Sequence, residues 1–232
     1  MATVPNIRSA DFDLAELRRL VAEMGGLAEA AIDDAVAALT HRDTESAAAI
    51  VKADQRIDAL EAEVERRVVR LIGLRADQPD ELREILAALK IAGVVERMGD
   101  YAKNIAKRVP LLVEARGIEP LAILPAMARA TSEIVHAALD TFAARDAEAA
   151  VRVAQSDARV DDFYNSLFRA LLTYMMENPH NITASAHLLF IAKNLERIGD
   201  HATNVAEMVY FAATGEQMGE RTRGIDTLTD GN

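Results

Sequence analysis

The sequence contains no cysteine. That excludes thiolate zinc sites, iron–sulfur clusters, disulfides and a cysteine nucleophile together. Glycine (11) and proline (6) are scarce in 232 residues, tryptophan is absent, and aromatics make up only 4%. A chain so poor in turn-formers and aromatics is not a β-sandwich or barrel, whereas its abundance of alanine and leucine suits long helices. Basic residues are outnumbered, 26 against 37 acidic, for a net charge of −11. No basic run is present, so nucleic acid is not an expected partner, because phosphate contacts need clustered positive charge. Long apolar runs are also missing: stretches such as Leu188 to Ala192 are far too short to span a bilayer. The start lacks the charged and apolar regions of a signal peptide. These features lead us to expect a cytoplasmic protein that reaches a membrane only through partners.

What the sequence does contain is one unit written twice. The run Glu96-Arg97-Met98-Gly99-Asp100-Tyr101-Ala102-Lys103-Asn104-Ile105-Ala106 returns as Glu196-Arg197-Ile198-Gly199-Asp200-His201-Ala202-Thr203-Asn204-Val205-Ala206. Upstream, Asp54-Gln55-Arg56-Ile57-Asp58 returns as Asp157-Ala158-Arg159-Val160-Asp161, and Arg42-Asp43 as Arg145-Asp146. A repeat of this length is domain-sized rather than a solenoid period. Each copy reads as three helices. In the first, Asp11 or Asp13 is expected to cap a helix reaching about Thr40. Asp43 caps a second, on which Ile50, Ile57, Val64 and Leu71 recur every seven residues with Ala53 and Leu60 between them. A break at 75–78 precedes Pro79, which suits the first turn of a third helix running to about Pro110. The second copy follows as Pro120–Ala144, Asp146–Asn178 and Asn181–Thr214. The expectation is an all-α fold of six helices in two tandem, similar three-helix bundles: 7–116, 117–215, then a polar tail over 216–232 that frays.

Both copies carry the same acidic stripe. Glu96, Asp100 and Asn104 are four residues apart, as are Glu196, Asp200 and Asn204, so they stack along one helix face at roughly 6 Å spacing. Ile91, Met98 and Ile105, like Ile191, Ile198 and Val205, point about 180° away and belong to the core. The carboxylates therefore face outward. Adjacent like charges repel, and Gly99 or Gly199 costs roughly 1 kcal/mol in a helix interior. A bridging cation would offset the repulsion, and the glycine would admit a neighbouring helix or a ligand. Carboxylates and amides are hard oxygen donors suited to magnesium, manganese, calcium or iron, with zinc a further candidate. Folding the second and third helices into a hairpin brings Asp54 and Asp157 beside the stripes as second-line ligands, and Asp58 and Asp161 as weaker ones. His201 lies next to the stripe and is a minor ligand candidate.

Glu-Arg-x-Gly-Asp-x-Ala-x-Asn in two copies, each with an upstream Asp-x-Arg-x-Asp, closely resembles the PhoU family of phosphate-signalling proteins over roughly residues 7 to 215. The resemblance implies two three-helix bundles in a cytoplasmic, often homodimeric, non-enzymatic adaptor. It implies partners too: a phosphate-specific ABC importer, through its ATPase subunit, and a sensor histidine kinase. In plentiful phosphate such an adaptor represses the starvation response and restrains uptake. The resemblance further implies surface metal sites at Glu96/Asp100 and Glu196/Asp200. Two other readings stand beside it. One is a metal-free helical scaffold. The other is a carboxylate-bridged di-iron enzyme using Glu133 and His136, which needs a second Glu-x-x-His; the one at Glu177–His180 falls at a turn. Met175 and Met176 are expected to fill core or turn.

Overall fold

The computed structural model describes residues 7–75, 77–114 and 122–219, and among them there is no strand. The first bundle consists of α1 (Ile7–His41), α2 (Thr44–Ala53), α3 (Gln55–Arg75) and α4 (Pro79–Ala106), with a short α5 (Val109–Leu112) after it. The second repeats the plan with α6 (Leu124–Ala144), α7 (Ala147–Ala154), α8 (Ala158–Glu177) and α9 (Ile182–Thr214). With α2–α3 and α7–α8 each counted as one broken rod and the short α5 set aside, the described residues form six helices in two similar three-helix bundles.

Local chemistry fixes most boundaries. Asp43 accepts hydrogen bonds from the Glu45 and Ser46 amides, and Asp146 from the Ala149 amide, so both second helices open on a capping aspartate. Each is preceded by an arginine in the left-handed region, Arg42 at φ 58° and Arg145 at φ 56°, conformations that cost a non-glycine residue about 1 kcal/mol. Pro79 opens α4, and Gly215 at φ 78° closes α9.

Several boundaries differ from expectation. α1 begins at Ile7, so Asp11 and Asp13 lie inside it; Asp13 pairs with Arg70 of α3 at 3.5 Å and ties two helices together instead of capping one. α4 ends at Ala106, before Pro110, which enters the first turn of α5. In the second copy Pro125, not Pro120, occupies the first turn of α6; the expected junction at 117–120 and the tail beyond 219 lie outside the described residues. Above all, each second helix is broken. Asp54 closes α2 through its amide, while its carbonyl accepts from Ile57 and Asp58 to start α3. The kink changes which residue points inward: Ala53 is exposed and Asp54 is only 7% exposed.

The apolar stripes of all the long helices merge into one continuous core. α4 packs most extensively on α9 and on α1, and α6 on α9, so the third helices of the two bundles form the spine of the molecule. Ile91, Met98 and Ile105 and their counterparts Ile191, Ile198 and Val205 are all buried, as their phase required. Met176 departs from expectation at 86% exposed, since the α8 stripe ends at Leu171 and the last turn projects past the bundle. Polar ties join the copies, among them His136 of α6 with Glu29 of α1 at 3.1 Å. Buried Glu84 of α4 is held by Arg18 of α1 and by Arg145 at the end of α6 (3.2 Å), and Ser132 donates to Asp33 at 2.7 Å.

Gly25 lies where α1 meets α6. A Cβ there would sit 2.4 Å from Leu139 Cδ1 and crowd three carbons of that side chain, while a Cβ on Gly26 meets nothing. Gly25→Ala should therefore destabilise by about 1–3 kcal/mol through overpacking. Gly26→Ala should stabilise by up to about 1 kcal/mol through helix propensity. Denaturant unfolding of the two variants checks the contrast: midpoints moving in the same direction would refute this account of the seam.

Candidate functional site

α3 approaches α4 closely because Gly99 has no side chain. A Cβ there would lie 2.8 Å from Ile57 Cδ1 and 3.4 Å from Asp54 Oδ1. The second copy is looser, with Gly199 facing Val160 at 3.6 Å. This approach places the acids of the broken rod opposite the acids of the third helix. The first stripe gathers Asp54, Asp58, Glu96 and Asp100. The second gathers Asp157, Asp161, Glu196 and Asp200, whose charges act on one another. Glu96, Asp100, Glu196 and Asp200 are half-buried along the groove, while Asn104 and Asn204 follow one turn later, also half-buried. The outward face expected from the helix phase is thus a groove flank, part wet and part covered by the neighbouring rod.

Crowding of like charge registers in proton affinities. Partial burial first, then the charges of Asp100, Glu61 and Asp58, push the Glu96 carboxyl up to about 7. Burial and then Asp157, Glu196 and Asp200 push Asp161 up to about 6. Asp58 is raised by burial and by Asp54, and Glu61 by burial, Glu65 and Asp58. Asp58 and Asp161, the weakest candidates by sequence, are exposed but feel the charge of their stripes.

Three participants escaped the sequence reading. Glu61 joins the first stripe one turn after Asp58; its position in the second copy is Tyr164, so a search for duplicated acids passes over it. Its signal was local, because residues 54, 58, 61 and 65 share one helix face. Lys103 reaches between two helices, its Nζ 2.5 Å from Asp54 Oδ2 and also bonded to Asp100. Burial alone would lower its proton affinity, but the hydrogen bonds and charges of those two carboxylates hold it well above the usual lysine range. In the second copy Lys193 bonds Glu196 at 2.6 Å and lies over the Tyr164 ring. Among the described residues, no three histidine, aspartate or glutamate side chains are grouped so as to hold a metal ion.

Between the stripes, Tyr101 of α4 stacks on His201 of α9, with ring centroids 5.6 Å apart and planes 15° from parallel, and Arg197 reaches over Tyr101. Burial, then the charges of Arg97 and Arg197, lower the His201 proton affinity despite Asp200. His201 is therefore built into the spine. Glu133 and His136, the di-iron candidates, stand exposed and are engaged separately, Glu133 by Arg159 and His136 by Glu29.

The raised value at Glu96 has a definite sign. The folded protein holds this proton more tightly than the unfolded chain, so the stability Glu96 contributes is present at low pH and is lost as pH rises from about 4.5 to about 7. Glu96→Gln, which keeps the neutral form, should raise Tm at pH 8 by roughly 2–4 °C, about 1 kcal/mol, and leave it unchanged at pH 4. Thermal unfolding at both pH values checks this; equal shifts would refute the charge-crowding account.

The same duplication appears in comparisons with known proteins. The PhoU domain model matches twice, at residues 21–109 and 124–209. A phosphate-specific transport system accessory protein PhoU homolog from Zymomonas mobilis is 57% identical over 222 residues, 96% of this chain and 94% of that protein. One from Caulobacter vibrioides is 43% identical over 98% of this chain and 99% of its own length. The crystal structure of PhoU from Pseudomonas aeruginosa has a TM-score of 0.84 at 34% identity, covering 89% of this chain and 99% of that one. The phosphate transport system regulatory protein PhoU from Streptococcus pneumoniae also has a TM-score of 0.84, at 28% identity over 91% and 100%. These relatives are named as accessory and regulatory proteins, not as enzymes. Two motif-bearing bundles joined along their third helices, matched by model, sequence and structure over nearly the whole chain, place this protein in the PhoU family.

Proposed function

We propose that this protein is a cytoplasmic, non-catalytic regulator of phosphate uptake. It links the ATPase subunit of a phosphate-specific ABC importer to a sensor histidine kinase and represses the phosphate-starvation response when phosphate is plentiful. The observation that carries this is near-full-length kinship with proteins named as phosphate-transport accessory proteins, in a chain that presents two like faces on a rigid spine. No helix among the described residues is long and apolar enough to cross a membrane; in this proposal the contact is with cytoplasmic parts of the importer. A homodimer is part of the same proposal.

The proposal includes cation binding at the stripes. The donors are hard oxygens, and the charge crowding at Glu96 and Asp161 is of the kind a divalent ion relieves. Glu96, Asp100, Glu196 and Asp200 would hold the ion, with Asp54, Asp58, Asp157 and Asp161 across the groove and Asn104 and Asn204 beside it. Such an ion would supply charge neutralisation and a bridge to acidic or phosphate groups of a partner. A metal-free scaffold is the second reading, favoured by the lysines that already neutralise part of each stripe.

Three outcomes test this. Deleting the gene should leave phosphate-starvation genes expressed in rich phosphate; unchanged repression refutes the signalling role. The importer ATPase subunit should co-purify with this protein in a phosphate-dependent amount, and no recovery at high or low phosphate refutes the link. Protein purified without chelator should contain metal that Asp100→Ala plus Asp200→Ala removes; equal metal content in the two leaves the scaffold reading.

A further inference from the structure

The seam where α4 and α9 lie side by side differs in charge from the rest of the surface. Arg19, Arg66 and Arg67 on the outer helices are each held by glutamates. On the spine, Lys90, Arg97, Arg108 and Arg197 are not: none of them is in an ion pair among the described residues. Contacts across the seam place them on one surface. Tyr101 stacks on His201, Arg197 reaches over Tyr101, and the Arg108 guanidinium lies 3.9 Å from the Phe190 ring centroid. Lys90 and Arg97 are in phase with Tyr101 and Arg108 along α4, and the charges of Arg97 and Arg197 both act on His201. No position in phase with these residues, from 90 to 108 or from 190 to 208, carries a carboxylate.

The same surface leaves large apolar groups open. Phe190 is 55% exposed, and Leu111 on α5 is 60% exposed. Arg108 is half-buried, fixed on the Phe190 ring, and its buried Nε has no hydrogen-bond partner. A guanidinium held in place by a ring is already oriented for a carboxylate, and arginine with aromatic residues carries much of the binding at protein–protein interfaces.

We propose that the α4–α9 seam docks one acidic amphipathic helix of a partner protein, its carboxylates meeting Arg97, Arg197 and Arg108 and its apolar residues covering Phe190 and Leu111. The inference rests on the adaptor reading and deepens it by naming a contact surface. Charge sets the kind of partner. Four unpaired cations grouped in a chain of net charge −11 are complementary to carboxylates and repel a basic segment. The flanking stripes set its width. Glu96 and Asp100 border the seam on the α3 side, and Glu196 and Asp200 on the α8 side. A broad anionic surface, such as a membrane or a nucleic-acid backbone, is repelled at both edges, whereas a single helix fits between them. From Lys90 to Arg108 the seam runs about 27 Å, roughly five turns of such a helix.

Fluorescence anisotropy on the full-length protein tests this. The probe is a labelled amphipathic peptide of about eighteen residues, with glutamates at i, i+4, i+7 and i+11 and leucines beside them. The wild type should bind it, and Arg97→Glu plus Arg197→Glu should weaken binding roughly tenfold or more. Lys52→Glu plus Arg129→Glu makes the same change in net charge away from the seam and should alter binding less than about twofold. Phe190→Ala should weaken it several-fold with no change in charge. Arg97→Gln plus Arg197→Gln should also weaken binding and, with thermal melts matching the wild type, excludes loss of folding as the cause. No binding by the wild type, or equal losses in the seam and control pairs, would overturn the inference. Binding to phosphatidylglycerol vesicles that the seam pair abolishes would overturn it in favour of a lipid surface. Recovery of the importer ATPase subunit with the wild type is the separate readout of the adaptor reading. With that recovery but no peptide binding, the docking face falls and the adaptor stands; without the recovery, the adaptor reading falls.

Discussion

The contact of Ile57 with Gly99 sets the distance between α3 and α4, and the acidic groove follows from that distance. A glycine in the middle of a long helix weakens it locally, and here the weakness coincides with close approach of the neighbouring rod. Carboxylates that would be independent surface charges on separate helices are brought opposite one another and partly away from water. Burial first, and then mutual repulsion, raises the Glu96 and Asp161 proton affinities, and the paired carboxylates of Asp54 and Asp100 hold Lys103 between them. An acidic cluster of this kind is costly for the fold unless something positive enters it.

The break in each second helix is the companion constraint. Were α2 and α3 one straight helix, the heptad would turn Ala53 toward the core and leave Asp54 on its flank. The kink at Asp54 reverses that assignment and delivers a carboxylate to the covered side of the groove. In the second copy Gln155 to Asp157 break the rod between α7 and α8, with Ser156 Oγ donating to the Val153 carbonyl at 2.7 Å, but Asp157 stays only half-buried. Duplication has preserved the break and the glycine while the lysines have moved. The two bundles therefore share a frame and differ in charge.

Joining the copies along α4 and α9 places the two grooves on one rigid spine. The Tyr101–His201 stack lies one residue beyond each motif aspartate, and the Glu84 ties lock α1 and α6 to α4. A partner that contacts one groove meets a body whose other groove is fixed relative to it. That suits an adaptor better than a hinged pair of domains would.

The repeat, the helical class, the buried faces of α4 and α9 and the stacking of Glu96 on Asp100 were all determined by the sequence. They depend on spacing within one helix, and the 3.6-residue period translates spacing directly into direction. Capping at Asp43 and Asp146 was local in the same sense. The inward turn of Asp54, the recruitment of Glu61, the coupling of Asp58 and Asp161 to the stripes, and the opposite placement of Lys103 and Lys193 were decided only in the tertiary structure. Those depend on where one helix breaks and how near another comes, quantities fixed by side chains meeting from distant parts of the chain, and no periodicity within a single segment carries them.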